Sequence, residues 1–115
     1  MPSNAAARTE VWMTDFGVGR GHEQAGLRPS LVVSHDGFNQ GAADLVIVIP
    51  ITSKGKGIRT HVEMQPPEGG LSMVSYAKCE DIRSISKDRL SRRMGAVTPA
   101  TMASIEVILR SLLVL

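Results

Sequence analysis

The sequence predicts a small, mainly antiparallel β-sheet or barrel closed by one C-terminal helix. Five apolar runs rich in Val and Ile are separated at short spacing by segments rich in Gly, Pro and polar residues, the pattern of short strands joined by tight turns. Helical spacing is read in one place, after Thr98-Pro99. With 115 residues, 43% of them hydrophobic, the chain suffices for one core and is too short for two.

The elements follow in order. Residues 1–8 hold no apolar run and are expected to be disordered, leaving 9–115 as a single domain. Residues 11–16 read as a strand with Trp12 and Phe16 on one face and Val11 and Met13 on the other, so both faces are covered or one meets a partner. A polar loop, 21–29, leads into the strand Leu31-Val32-Val33 that ends near Ser34. Residues 44–51 are apolar at consecutive positions, which requires protein on both faces and marks the central strand. Residues 53–57, with two glycines and no apolar anchor, predict a mobile loop before a short strand over 60–64. A turn over 65–70 precedes a strand over 71–78. Thr98 caps the helix with its hydroxyl, and Pro99 sits where its missing N–H costs nothing. Met102, Ile105, Leu109 and Leu112 then form one apolar stripe, expected to close the barrel.

Composition excludes several classes. The single cysteine, Cys79, cannot form an internal disulfide, and with no signal-peptide pattern a reduced, cytoplasmic protein is expected. The apolar tail 107–115 is interrupted by Arg110 and falls short of the roughly 20 residues that cross a bilayer. The net charge of +2 is compatible with a polyanionic partner without requiring one. Basic residues gather at Lys54, Lys56 and Arg59, and again at Arg83, Lys87, Arg89, Arg92 and Arg93. On charge alone these are two solvated surfaces. His35, His61 and Cys79 lack metal-ligand spacing. The glycine-rich stretch 17–21 lacks the following helix and terminal lysine of a nucleotide-binding loop. No metal or other cofactor is expected.

The chemistry concentrates in Gly21-His22-Glu23-Gln24-Ala25-Gly26-Leu27-Arg28-Pro29. Core packing would not select an acid, an imidazole and a guanidinium in nine residues. Gly21 and Gly26 allow backbone angles closed to other residues, and Pro29 fixes the chain as it leaves Arg28. Such a loop presents side chains, and a phosphate suits the guanidinium fork.

Together with Pro50-Ile51-Thr52-Ser53-Lys54 and the later Ile82-Arg83-Ser84-Ile85, this loop resembles the MazF/PemK family of toxin ribonucleases, in the family's order and over nearly the whole chain. The resemblance implies an SH3-like antiparallel barrel of MazF/PemK/CcdB type with a C-terminal α-helix, assembled as a homodimer. It implies an endoribonuclease that cuts single-stranded mRNA at a short sequence without a metal, leaving 2′,3′-cyclic phosphate and 5′-hydroxyl ends. It also implies a cognate acidic, MazE-like antitoxin whose disordered tail folds across the basic groove.

Arg28 suits the charge building on the phosphorus oxygens, since a guanidinium stays protonated and grips two oxygens. For the base there are two candidates. An imidazole such as His22 accepts a proton comfortably near neutrality, whereas the resemblance favours Glu23, which could also serve only to orient Arg28. Thr52 carries over as the second catalytic position, its hydroxyl bonding a phosphate oxygen. Gln24, Ser53, Lys54 and Lys56 are expected to touch the RNA, and Phe16 to stack on a base. Glu80-Asp81 stand where relatives often carry a polar residue such as glutamine. Two rivals remain: a CcdB-like toxin that acts by binding alone, and an interaction barrel that binds acidic peptides. The nuclease reading requires Arg28 and Thr52 to converge on one pocket.

Overall fold

The computed structural model describes residues 5–115. The chain forms β1 (Glu10–Asp15), β2 (Leu27–Val32), a one-turn helix α1 (Asp36–Asn39), β3 (Leu45–Thr52), β4 (His61–Met64), β5 (Ser75–Lys78), β6 (Arg83–Ser86), β7 (Leu90–Ala96) and α2 (Pro99–Leu113). All strand pairs are antiparallel, and the sheet runs β4-β5-β3-β2-β1-β7 with β6 also on β3. The expected class, a β-barrel with a C-terminal helix, is the observed one.

β3 organises the molecule. Its first half pairs with β6 and its end with β5, while β2 lies on its other edge. β5 and β6 thus act as one strand running back along β3, interrupted by a 3-10 turn at Cys79–Asp81. Alternate residues of β1, β2 and β3 enter different cores. Val11, Leu31, Ile49 and Ile51 join Met64, Cys79, Met102 and Ile105 on one side. Trp12, Phe16, Val32, Val46 and Val48 join Ile85 and Leu90 on the other. The unbroken apolar run of β3 follows from this, because a strand covered on both faces has no solvent side to make polar.

The barrel closes through backbone contact. Gly69 and Gly70 adopt φ of +66° and +72°, and a Cβ on Gly70 would fall 2.1 Å from the Met94 carbonyl oxygen of β7. Only glycine fits there. Glu68, just before them, accepts from the Thr98 N–H at 3.0 Å and the Thr101 hydroxyl at 2.5 Å. It therefore fastens this turn to the N-terminus of α2, where a carboxylate is favoured. Thr98 caps the helix as expected, accepting from the Thr101 N–H at 3.2 Å.

Some expectations are corrected. Residues 1–4 of the segment expected to be disordered lie outside the described residues. In its remainder Ala6 is buried, and Arg8 bonds the Val33 carbonyl and pairs with Glu106 at 2.7 Å. The strand expected over 71–78 is β only from Ser75; a bend at 72–73 precedes it, where the Ser75 hydroxyl donates to the Met73 carbonyl at 2.9 Å. The α2 stripe is buried at Met102 and Ile105 and half-buried at Leu109, but Leu112 is 39% exposed. The helix outruns the core it covers. α1, at four residues, is too short to carry a periodicity in the sequence. No described helix is long and apolar enough to cross a membrane.

Candidate functional site

Arg28 lies within β2, not before it. The β2–β3 register pairs Ser30 with Pro50, and continued by two residues it sets Arg28 opposite Thr52. Prolines at 29 and 50 remove ladder donors at this point, and the β2–β3 pairing stops at Ser30 and Pro50, while Arg28 stays paired with Thr14 of β1 and Thr52 with Tyr76 of β5. Arg28 and Thr52 line one cleft of about 270 Å³. The required convergence is present.

The cleft floor comes from β3, β5 and β4. Thr52 pairs with Tyr76, Tyr76 with Glu63, and Lys78 with His61. Directly opposed residues share a face, so these side chains project together while Ile51, Ala77 and Val62 enter the core. The 53–57 loop leans on this surface. A Cβ at Gly55 would stand 2.8 Å from the Tyr76 ring, so the loop crosses it at backbone contact.

The opposite wall is the 21–26 loop. Its neck is a backbone pair, Phe16 N–H to Gly26 O at 2.9 Å and Gly26 N–H to Gly17 O at 2.8 Å. Its tip is a turn in which the Glu23 carboxylate accepts the Arg20 N–H at 2.8 Å. Three side chains from the β5–β6 corner hold the loop down. Lys78 Nζ donates to the His22 carbonyl at 2.9 Å and to Gln24 Oε1 at 3.3 Å. Asp81 accepts the Gln24 N–H at 2.9 Å, and Arg83 donates to the Gln24 carbonyl at 3.3 Å. Asp81 also pairs with Arg83 at 2.8 Å. Its carboxylate is thus occupied in bracing the loop, which accounts for an acid beside a basic cleft. Lys78 carried no signal in the sequence beyond its charge.

Arg28 is left available. Its Nε donates to the Ala25 carbonyl at 3.2 Å, and among the described residues it makes no ion pair. Glu23 therefore does not orient it here. The Thr52 hydroxyl accepts the Lys54 N–H at 3.1 Å, which occupies a lone pair and leaves its proton to donate outward. His22, Glu23, Gln24, Ser53, Lys54 and Lys56 all line the same cleft.

Phe16 is the exception. It is 6% exposed in the second core, and the Arg83 guanidinium covers its ring at 4.7 Å. A base cannot reach a ring capped by a cation–π contact. In the sequence it precedes the loop, but no local pattern shows that Arg83 folds over it.

His61, which lacks metal-ligand spacing in the sequence, lines the cleft beside Glu80. Its side chain is 4% exposed, Nε2 lies 2.9 Å from Glu80, and Nδ1 is buried with no partner. Burial pushes the Glu80 carboxyl up, but hydrogen bonds from the Thr60 hydroxyl at 2.6 Å, from its own backbone and from His61 outweigh this and hold it below the usual value. Cys79, beside it, is wholly buried and its thiol is pushed up to about 12, first by burial and then by Glu80. His35 caps α1, accepting the Gly37 N–H at 2.9 Å. Among the described residues no group of three or more His, Cys, Asp or Glu is placed to hold a metal.

Residues 7–113 match the family model described as the PemK-like, MazF-like toxin of type II toxin–antitoxin systems. Over 108 residues the chain is 35% identical to the endoribonuclease MazF9 of Mycobacterium tuberculosis, covering 90% of this chain and 92% of that one. The crystal structure of MazF from Deinococcus radiodurans superposes with a TM-score of 0.86 at 25% identity, covering 98% of this chain and all of the other. An endoribonuclease from a mycobacterial species, solved with its cognate antitoxin, superposes at 0.76 with 30% identity, covering 97% and 96%.

Proposed function

The chain belongs to the PemK-like, MazF-like toxins of type II toxin–antitoxin systems, and on that premise we propose that it is a sequence-specific endoribonuclease acting on single-stranded RNA in the cytoplasm. The observation that carries the proposal is that Arg28 and Thr52, far apart in the chain, line one basic cleft. Single strands suit this site, because an unpaired 2′-hydroxyl can rotate into line with the scissile bond and free bases can be read.

The 2′-oxygen attacks phosphorus as its proton passes to a base. The new 2′-O–P bond forms, the P–O5′ bond breaks, and the leaving 5′-oxygen takes up a proton. A 2′,3′-cyclic phosphate and a 5′-hydroxyl result. The unpaired end of the Arg28 guanidinium grips the phosphorus oxygens as charge grows, and the Thr52 hydroxyl donates to one of them. Glu23, with one oxygen on the Arg20 N–H, accepts the proton, and His22 assists from the adjacent position. Ser53, Lys54 and Lys56 hold the backbone, and Gln24 lies within reach of a base edge.

The same cleft fits an antitoxin. Arg28, Lys54, Lys56 and Lys78 outnumber Glu23 and Glu80 along it, so an acidic tail that orders on contact would hide Arg28. A mycobacterial relative was solved in complex with its cognate antitoxin. A homodimer belongs to this reading too, and the exposed Val107, Leu112, Leu113 and Leu115 of the α2 end supply apolar surface for a subunit contact.

Incubation of the purified chain with single-stranded RNA in EDTA tests the proposal. Discrete fragments ending in cyclic phosphate are expected, and these disappear in Arg28→Ala. Salt-sensitive binding without cleavage would instead favour a binding module.

A further inference from the structure

A second cleft, of about 210 Å³, opens beside the first. Arg28, Thr52 and Ser53 line both, and among the described residues nothing else does. The pair that grips the phosphate is therefore a ridge between two depressions. They differ in character. The first is lined by charged and imidazole side chains, whereas the second, beyond the shared Arg28, carries no charge. Its walls include Met13 of β1, Met94 of β7 and Met73 of the segment before β5, with Ile51, Leu71 and Pro29 completing the apolar surface.

We propose that this second cleft receives the unpaired base of a nucleotide directly flanking the scissile phosphate, and so helps determine where the RNA is cut. The inference rests on the nuclease reading above. A phosphate held on the ridge sends its two flanking nucleosides to either side, and an uncharged, flat, polarisable ring belongs in the uncharged depression. Three thioethers suit such a ring, because sulfur makes favourable contacts with aromatic systems and an unbranched side chain moulds to the shape presented. The Ser53 and Ser72 hydroxyls at the margin can bond a base edge. Discrimination at this position therefore works by size and shape more than by a fixed hydrogen-bond pattern.

Met73 is 56% exposed and belongs to neither core, so Met73→Ala removes a wall without opening the interior. Fragments from a mixed RNA pool are sequenced at their 5′ ends for the wild type and for Met73→Ala. The base preference at one nucleotide adjoining the cut should relax by about tenfold, with preferences elsewhere and the melting temperature unchanged. An uncleavable RNA, 2′-deoxy at the cut and carrying 2-aminopurine beside it, should give a fluorescence change in the wild type that Met73→Ala abolishes. Identical cleavage profiles, or a 2-aminopurine response indifferent to Met73, overturn the proposal. So does uniform loss of cleavage with a fall in mass by light scattering, which would assign the cleft to a subunit contact. A wild type that yields no fragments overturns the nuclease reading, and the fluorescence arm still decides the cleft.

Discussion

The Asp81 carboxylate accepts the Gln24 N–H at 2.9 Å across 57 residues of chain, and this bond ties the loop bearing His22 and Glu23 to the β5–β6 corner. Asp81 is half-paired with Lys78 as well, at 3.7 Å. Hydrogen bonds to charged groups contribute about 1.5–3 kcal/mol where solvent is largely excluded. Asp81→Ala should therefore free the loop, lower kcat/KM about tenfold and accelerate hydrogen exchange at the Gln24 amide. Unchanged protection of that amide would remove the bracing role.

Arg28 and Thr52 should act as a unit. Arg28→Ala is expected to cost about 10²–10³ in single-turnover cleavage rate, and Arg28→Lys to restore little, since an ammonium lacks the two-pronged grip. Thr52→Ala should cost about 10–100-fold, the value of one hydrogen bond to a charged oxygen, and Thr52→Ser should recover most of it. The double variant should lose less than the product of the single losses. Strictly multiplicative losses would mean that they do not share a phosphate.

Acid should unfold the protein partly through Glu80 and Glu10. Both carboxyls lie below their usual value: burial raises each, but hydrogen bonds from Thr60, the backbone and His61 at Glu80, and from Arg93, Ala7 and Trp12 at Glu10, more than offset it. A carboxyl depressed in the folded state stabilises the fold above its unfolded pKa, about 4.3 for glutamate. That stability drains away as pH falls through the lower folded value. Urea midpoints should therefore be flat above about pH 5 and decline below about pH 4. The decline should be shallower in Glu80→Gln, and an equally steep decline there would exclude Glu80 as a source.

Cys79 should be chemically silent. It is wholly buried, and its thiol is pushed up to about 12, whereas thiolate is the reactive form. A disulfide reagent at pH 8 should leave the native chain unlabelled and react fully once urea unfolds it. Rapid labelling under native conditions would contradict the packing around the 3-10 turn.

Gly70→Ala should loosen the barrel closure. The left-handed backbone alone costs about 1–2 kcal/mol with a side chain, and the methyl would also meet the Met94 carbonyl. A melting temperature lower by several degrees is expected. An unaltered one would show that the turn can move off β7.

Much of this was legible in the residues themselves. The solid apolar run of β3 announced a strand covered on both faces, and Thr98-Pro99 announced a helix start, because period, capping and propensity act over a few neighbours. The loop at 21–29 and the segment at 50–54 identified Arg28 and Thr52 by the company each keeps. Other features depend on partners far away in the chain. Only the pairing of β5 and β6 along β3 put Asp81 under Gln24, Glu80 beside His61 and Arg83 over Phe16. Only the extent of the core decided that Leu112 would stay exposed. Local pattern specifies which side chains face inward, since burial rewards apolar surface wherever it is found. Which distant polar group meets which is settled by strand order and register, and neither is written in any short stretch of sequence.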